Sequence, residues 1–252
     1  MIKPVLLIRG DNNDVDEAAL AKLGILSLID PYIEIKVAND PTDGERLLFL
    51  LEKSESPLWL LATSINALKF WSKIVGEDRL RSAISARTDL RFAAVGDTTA
   101  DALRNFGADE VFIPKDTTGK SLADALVSTY STGHVLIPGG NLAMKMVPSV
   151  FVSAGWRVST AVVYVTSPVE KEPKSVHLVR DKEVSAVLFR SPSAVRAFTH
   201  FVPNPAIPLV CAGVTTARAL EEQGQMVAAR SAKPSAEVVA STIYSLLCHE
   251  NI

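Results

Sequence analysis

Cysteine is almost missing from this sequence: Cys211 and Cys248 are the only two in 252 residues. Two cysteines cannot form a disulfide framework or a zinc site of the usual composition. Free thiols fit a reducing compartment. Long apolar runs are also missing. The N-terminal stretch Val5–Ile8 is shorter than a signal-peptide core and is followed by Arg9. No window approaches the ~20 apolar residues of a membrane helix. A cytoplasmic protein without membrane contact is therefore the expectation. Excess charge is absent, with 26 Lys and Arg against 28 Asp and Glu. That balance gives no electrostatic case for a nucleic-acid partner, although it leaves room for a local basic cleft. The glycine-rich dinucleotide fingerprint, the phosphate-binding loop and the Gly-x-Ser-x-Gly elbow do not occur, which argues against nicotinamide, nucleotide-hydrolysing and α/β-hydrolase chemistry. No acidic cluster suggests a metal. His134, His177, His200 and His249 read as surface or packing residues, and Trp59, Trp71 and Trp156 as core residues.

What is present is an alternation. At 48% hydrophobic, the chain has enough apolar residues for one large domain or two small ones. Short apolar runs at Val5–Ile8, Leu58–Ala62, Phe92–Val95, Val111–Ile113, Val135–Ile137, Val158–Val165, Ala186–Phe189, Leu209–Ala212 and Met226–Ala229 read as strands of a covered parallel sheet. Amphipathic helical segments lie between them, among them Val15–Leu23, Ala67–Val75, Thr99–Phe106, Ser121–Tyr130, Met144–Ala154, Ala194–Phe201, Thr216–Gln223 and Ala236–Leu247. The pattern predicts an α/β fold with right-handed parallel connections. Gly24, Gly107, Gly155 and Gly224 are placed for helix C-caps. Asp14, Thr98, Ser193 and Thr215 are placed for N-caps.

An internal repeat organises the chain. Residues 92–107 read FAAVGDTTADALRNFG and residues 209–224 read LVCAGVTTARALEEQG. Gly, Thr, Thr, Ala, Ala, Leu and Gly coincide without a gap. A second pair precedes it in both halves: LLATSINALKFW at 60–71 and VLFRSPSAVRAF at 187–198. Two similar doubly wound α/β lobes are expected. Extended, proline-punctuated segments at 31–40 and 163–173 predict two crossings between them. The first lobe would then be discontinuous, residues 1–36 with 168–252, and the second would span 38–165, joined by a two-stranded linker.

In parallel α/β sheets, ligands bind beyond the carboxyl ends of the strands. Those ends carry Arg9 and Gly10; Thr63 and Ser64; Gly96, Thr98 and Thr99; Gly139, Gly140 and Asn141; Arg190, Ser191 and Ser193; and Gly213, Thr215 and Thr216. Backbone N–H groups and hydroxyls at such joints suit carboxylates or phosphates. A single Gly-x-Thr-Thr-Ala is most often a plain strand-to-helix joint. Two copies with two serine-rich turns shift the reading toward binding. Tyr164 ends a strand at the return crossing. Its phenol there is either a proton or hydrogen-bond donor to a leaving hydroxyl, or an amphipathic packing group.

The ordered set LATSINAL, AAVGDTTADAL, VLIPGGN, VVYVTSP, LFRSPSAV and CAGVTTARAL resembles the uroporphyrinogen-III synthase family over nearly the whole chain, from Leu6 to about Ile243. The resemblance implies two α/β lobes on a two-stranded linker, with no cofactor and no metal; because the two crossings are the only covalent ties between the lobes, a small interface would let them open and close around a substrate. It implies closure of hydroxymethylbilane, a linear tetrapyrrole with eight carboxylates, to the type III macrocycle. The last pyrrole ring is inverted through a spiro intermediate. It assigns Tyr164 to assisting loss of the hydroxyl, and Ser64, Thr98, Thr99, Ser191, Ser193, Thr215 and Thr216 to the cleft lining. A monomer is expected, with hydroxymethylbilane synthase, which makes the unstable bilane, as a transient partner. Many relatives have Arg-Gly where this chain has Gly139-Gly140, and an uncharged residue where it has Arg190. Arg190 is therefore expected either to supply compensating positive charge, so that Arg190→Ala raises KM, or to face solvent. The alternative to an enzyme is a two-lobed anion-binding or sensor module that kept the fold.

Overall fold

A computed structural model describes residues 3–54, 56–142 and 146–249. The chain runs β1 (Val5–Leu7), α1 (Asn13–Ala21), β2 (Ser27–Ile29), β3 (Ile33–Val37), α2 (Thr42–Lys53), β4 (Leu58–Ala62), α3 (Ile65–Val75), α4 (Glu77–Ser85), β5 (Arg91–Ala94), α5 (Asp97–Asn105) and β6 (Val111–Phe112). It continues through α6 (Gly119–Thr129), β7 (His134–Gly140), α7 (Met146–Ser153), β8 (Arg157–Pro168), α8 (Ser175–Arg180), β9 (Ala186–Phe189), α9 (Pro192–Phe201), β10 (Leu209–Cys211), α10 (Val214–Glu222), β11 (Ala229–Arg230) and α11 (Ala236–His249). The start of the expected helix Met144–Ala154 lies outside the described residues. No described helix is long and apolar enough to cross a membrane.

Two compact units result. One gathers the residues up to Ile35 and from Ser167 onward; the other is Lys36–Thr166. The first contains a five-stranded sheet in the order β11-β10-β9-β1-β2, parallel throughout. The second contains a sheet in the order β3-β8-β7-β4-β5-β6, parallel from β8 to β6. The chain changes unit within β3 and again within β8, which are neighbours in that sheet. Ala38 N–H donates to the Val163 carbonyl at 3.0 Å and Val169 N–H to the Tyr32 carbonyl at 3.1 Å, so these two strands run in opposite senses.

Alternation along the strands builds a core on each face. In the first unit Leu6, Val187, Phe189, Leu209 and Cys211 face Val176, Val195, Phe198 and Leu220. Val5, Leu7, Leu188 and Val210 face Leu20, Val239, Ala240 and Ile243 on the other side. In the second unit Trp59, Leu61, Ala93, Val135 and Ile137 pack against Leu122, Leu126, Phe151 and Trp156. Trp71 is fully buried, and its indole N–H donates to the Gly44 carbonyl at 2.9 Å.

Sequence patterning does not pick out α2, α4, α8 or β2. α2 carries Gly44 in its first turn and follows Pro41; α4 opens on a charged run, Glu77-Asp78-Arg79; α8 and β2 are very short. The expected strand at Met226–Ala229 forms later in the chain, at Ala229–Arg230, and Met226 is exposed. The four glycine C-caps have positive φ, from 71° to 104°. The expected N-caps are each displaced by two residues. The capping positions are Asn12, Gly96, Ser191 and Gly213 instead of Asp14, Thr98, Ser193 and Thr215. The joints at Gly96, Ser191 and Gly213 are tight, so the helix starts almost where the strand stops, whereas a longer loop leads from β1 to Asn12.

His134 opens β7 as a packing residue at 5% exposure, with Nε2 2.9 Å from Ser159 Oγ and Nδ1 unpartnered. Burial lowers its pKa from the ordinary 6.5, and nearby Arg157 lowers it further. The unfolded chain therefore binds the proton more readily than the folded one. The contribution of neutral His134 is fully present above about pH 6.5 and is lost as pH falls through the folded value. The thermal midpoint should fall on acidification below about pH 6.5, and less steeply in His134→Gln. Parallel curves for the two proteins would show that His134 plays no part.

Candidate active site

In the Lys36–Thr166 unit, the carboxyl ends of β8, β7, β4 and β5 lie side by side. Ser64 follows β4 in an extended conformation, and its Oγ accepts from Ala67 N–H at 3.3 Å, which caps α3. The same oxygen lies 3.2 Å from the Tyr164 hydroxyl, and either can be the donor. Tyr164 is half-buried on β8 with its ring 5.5 Å from that of Phe70. Its other neighbour is backbone: a Cβ on Gly140 would run into the Tyr164 ring. Glycine is therefore required there by close approach. Thr63 is half-buried beside Ser64.

Several sequence expectations need correction here. Gly139 and Gly140 do not form an open anion loop; both are buried inside β7, with a bulge between them. Asn141 is engaged with the end of β8. Its Oδ1 accepts from Thr166 N–H at 3.0 Å and its Nδ2 donates to the Thr166 carbonyl at 3.4 Å. Thr99 and Thr216 are 6% and 2% exposed; both lie in the packing of their helices, α5 and α10, and Thr216 also borders the cavity described below. Thr98 and Thr215 are exposed in the first turns, where a hydroxyl can meet a ligand. Gly96 and Gly213 supply no capping oxygen, so first-turn N–H groups have no side-chain acceptor from the cap.

The other unit presents a corresponding edge. Ser191 caps α9 through Ala194 N–H at 3.3 Å and lies 2.9 Å from Ser193 Oγ. A cavity of about 550 Å³ is lined by Arg9, Arg190, Gly213, Thr215, Thr216 and Ser231, among others. Arg190 neither faces solvent nor stands open as a cation, contrary to both expectations. Its guanidinium binds Asp16 and the Pro234 carbonyl, and the side chain is 11% exposed. Arg9 is held more loosely, 3.8 Å from Asp16 and 4.0 Å from Asp11. Burial lowers the Arg9 pKa, opposed chiefly by Asp16. Asp16 is not legible in the sequence as a site residue. It is one of two acidic residues in the first turn of α1, and only the fold shows which one is buried.

Strand register makes the repeat geometric. Ser64 and Ser191 cap equivalent helices, and Leu60 and Val187 each lie four residues earlier. Leu60 pairs with Leu136 and Val187 with Leu6. Three residues beyond these partners stand Gly139-Gly140 in one unit and Arg9-Gly10 in the other. The arginine absent from one edge is thus present at the matching position of the other.

A larger hollow, about 910 Å³, lies at the amino ends of β4, β5 and β6. Its chemistry is poorer in free donors for anions. Arg87 is committed to Asp89 and to the carbonyls of Leu51, Ser54 and Ser56. Arg91 stacks on Trp59 and Tyr130, and Asp109 and Glu110 bring negative charge. Among the described residues no cluster of His, Cys, Asp or Glu is arranged to hold a metal.

The sequence model of the family described as Uroporphyrinogen-III synthase HemD matches residues 14–240. The chain belongs to the uroporphyrinogen-III synthase family. A mutant uroporphyrinogen III synthase from Thermus thermophilus has the same fold, with a TM-score of 0.64 at 18% identity, covering 97% of this chain and 99% of that one. The Helicobacter pylori enzyme matches with a TM-score of 0.63, also at 18% identity, covering 97% and 99%. The family places the chain in tetrapyrrole biosynthesis among lyases, and two parallel α/β sheets are its fold.

Within this family member, Gly140 and Tyr164 form a testable contact. Gly140→Ala should displace the Tyr164 ring, weaken its bond to Ser64 and lower stability by about 1–3 kcal/mol. Unchanged denaturant midpoints would contradict the packing described here.

Proposed function

We propose that this chain is a working uroporphyrinogen-III synthase that closes hydroxymethylbilane with loss of water and inversion of the terminal ring. The observation that carries the reading is the Tyr164–Ser64 hydroxyl pair at the carboxyl edge of a family-typical sheet. An electron-rich pyrrole readily releases a hydroxyl from its attached methylene. The enzyme needs only a mild acid at that oxygen and control over which carbon then attacks.

In this reading, the Tyr164 O–H gives its proton to the departing hydroxyl as the C–O bond breaks and water leaves. Ser64 orients the phenol and shares the charge left on its oxygen. The electrophilic methylene is attacked at the already substituted carbon of the terminal pyrrole, giving the spiro intermediate. Cleavage and reclosure invert that ring, and loss of the ring proton returns the proton count to balance. Eight carboxylates on the substrate need anchors. Support for them comes from Arg9 and its cavity in one unit, and from the Ser, Thr and first-turn N–H donors at both sets of strand ends. Neutral donors hold a polyanion without collapsing it onto one strong charge, so most single substitutions among them should only slow the reaction. The proposed setting is cytoplasmic, with the protein acting as a monomer without a cofactor and taking the bilane from the upstream synthase.

The test is an isomer assay on freshly generated hydroxymethylbilane, with products oxidised and separated. Type III product should predominate and scale with enzyme concentration. Tyr164→Phe should retain the fold and lose on the order of tenfold to a hundredfold in kcat, the low end for loss of a general acid because the substrate is reactive. Type I product alone, at the spontaneous rate from folded wild-type protein, would refute the proposal.

A further inference from the structure

Two arginines compete for one buried carboxylate at the edge of the first unit. Arg190 holds it: Nε donates to Asp16 Oδ2 at 3.0 Å, Nη2 donates to Asp16 Oδ1, and Nη1 donates to the Pro234 carbonyl. Each of the three guanidinium nitrogens is thereby engaged, and Asp16 is 2% exposed. Arg9 comes second. Its Nη1 is 3.8 Å from Asp16 Oδ2 and 3.5 Å from the Asn12 carbonyl, and its Nη2 is 4.0 Å from Asp11 at the rim. Arg9 is also the more exposed of the two, at 29% against 11%. Both arginines line the same cavity. Both Asp16 oxygens are hydrogen-bonded to Arg190, whereas Arg9 at 3.8 Å is beyond hydrogen-bond distance and feels Asp16 only through space. Asp16 therefore neutralises Arg190, and the charge of Arg9 is left facing the cavity.

We infer that Asp16 is a positioning residue that ranks the two arginines: by committing Arg190 to the fold, it leaves Arg9 to bind a carboxylate of the ligand. This rests on the proposed reading that the ligand is a polycarboxylate. Arg190 then controls anion affinity without touching the anion. In Arg190→Gln, the buried Asp16 loses its partner, and the nearest replacement cation is Arg9. Arg9 turns inward and the cavity loses its anchor. Removing the captor as well, in Arg190→Gln/Asp16→Asn, returns Arg9 to the cavity.

The experiment is a fluorescence titration with uroporphyrin, a stable octacarboxylate, together with KM and kcat for type III formation. Arg9→Gln and Arg190→Gln should each weaken uroporphyrin binding by on the order of tenfold, the worth of one charged hydrogen bond. For Arg190→Gln the loss should appear in KM and leave kcat unchanged. The double variant Arg190→Gln/Asp16→Asn should bind within about twofold of wild type. Arg190→Lys keeps a cation on Asp16 and serves if Arg190→Gln does not fold; it should bind like wild type. A double variant as weak as Arg190→Gln, or an Arg190→Lys that loses binding as fully, would overturn the inference, because Arg190 would then be contacting the ligand itself. Wild-type protein giving only type I product would refute the enzymatic reading separately, whatever the binding pattern.

Discussion

Parallel strand pairing is the constraint on which the rest depends. A parallel strand cannot turn straight back; each must be followed by a crossover, here usually a helix. In both sheets this sends the strand-to-helix joints to a single edge. Extended N-caps at Ser64, Gly96, Ser191 and Gly213 begin the helices almost at the strand ends. Hydroxyls, first-turn N–H groups and glycine backbone are thereby concentrated without a dedicated binding loop. The apolar alternation that fills both faces of the sheets makes those edges rigid enough to position what they carry.

The edges share a plan and differ in charge. In the Lys36–Thr166 unit the Gly140 position is given over to the close approach of Tyr164, and Ser64 completes a neutral hydroxyl pair. In the other unit the matching strand end bears Arg9, beside a second arginine fixed by Asp16. On the proposed reading, one edge moves a proton and the other holds an anion. A repeated fold has thus diverged at a few residues while keeping its capping geometry. This division fits a reaction in which the substrate supplies most of the reactivity and the protein supplies orientation.

Much of this is legible in the sequence, for identifiable reasons. The strand–helix alternation, the repeat and the glycine C-caps are local signals, and they set the α/β class and the loops of interest. Ser64, Ser191, Gly96 and Gly213 are visible because the repeat marks them twice. What stays hidden depends on distant pairing. Asp16 and Arg190 are 174 positions apart, and no local pattern reveals which of two first-turn aspartates turns inward. Gly140 reads as a ligand contact because glycine at a strand end serves either ligand approach or side-chain approach, and only the fold shows Tyr164 packed against it. The caps expected at Thr98, Ser193 and Thr215 are displaced by two residues because Thr and Ser are good caps in general, whereas here the tight joints place the cap earlier.

The central claim is that ligand binds at the carboxyl edges and not in the larger hollow at the amino ends of β4, β5 and β6. Hydrogen exchange of backbone amides with and without bound uroporphyrin tests this most directly. The account predicts slowed exchange at residues 64–67, 96–100, 190–194 and 213–217, with residues 84–92 and 107–112 unchanged. Protection confined to 84–92 and 107–112 would contradict it and move the site to the opposite edge of the sheet.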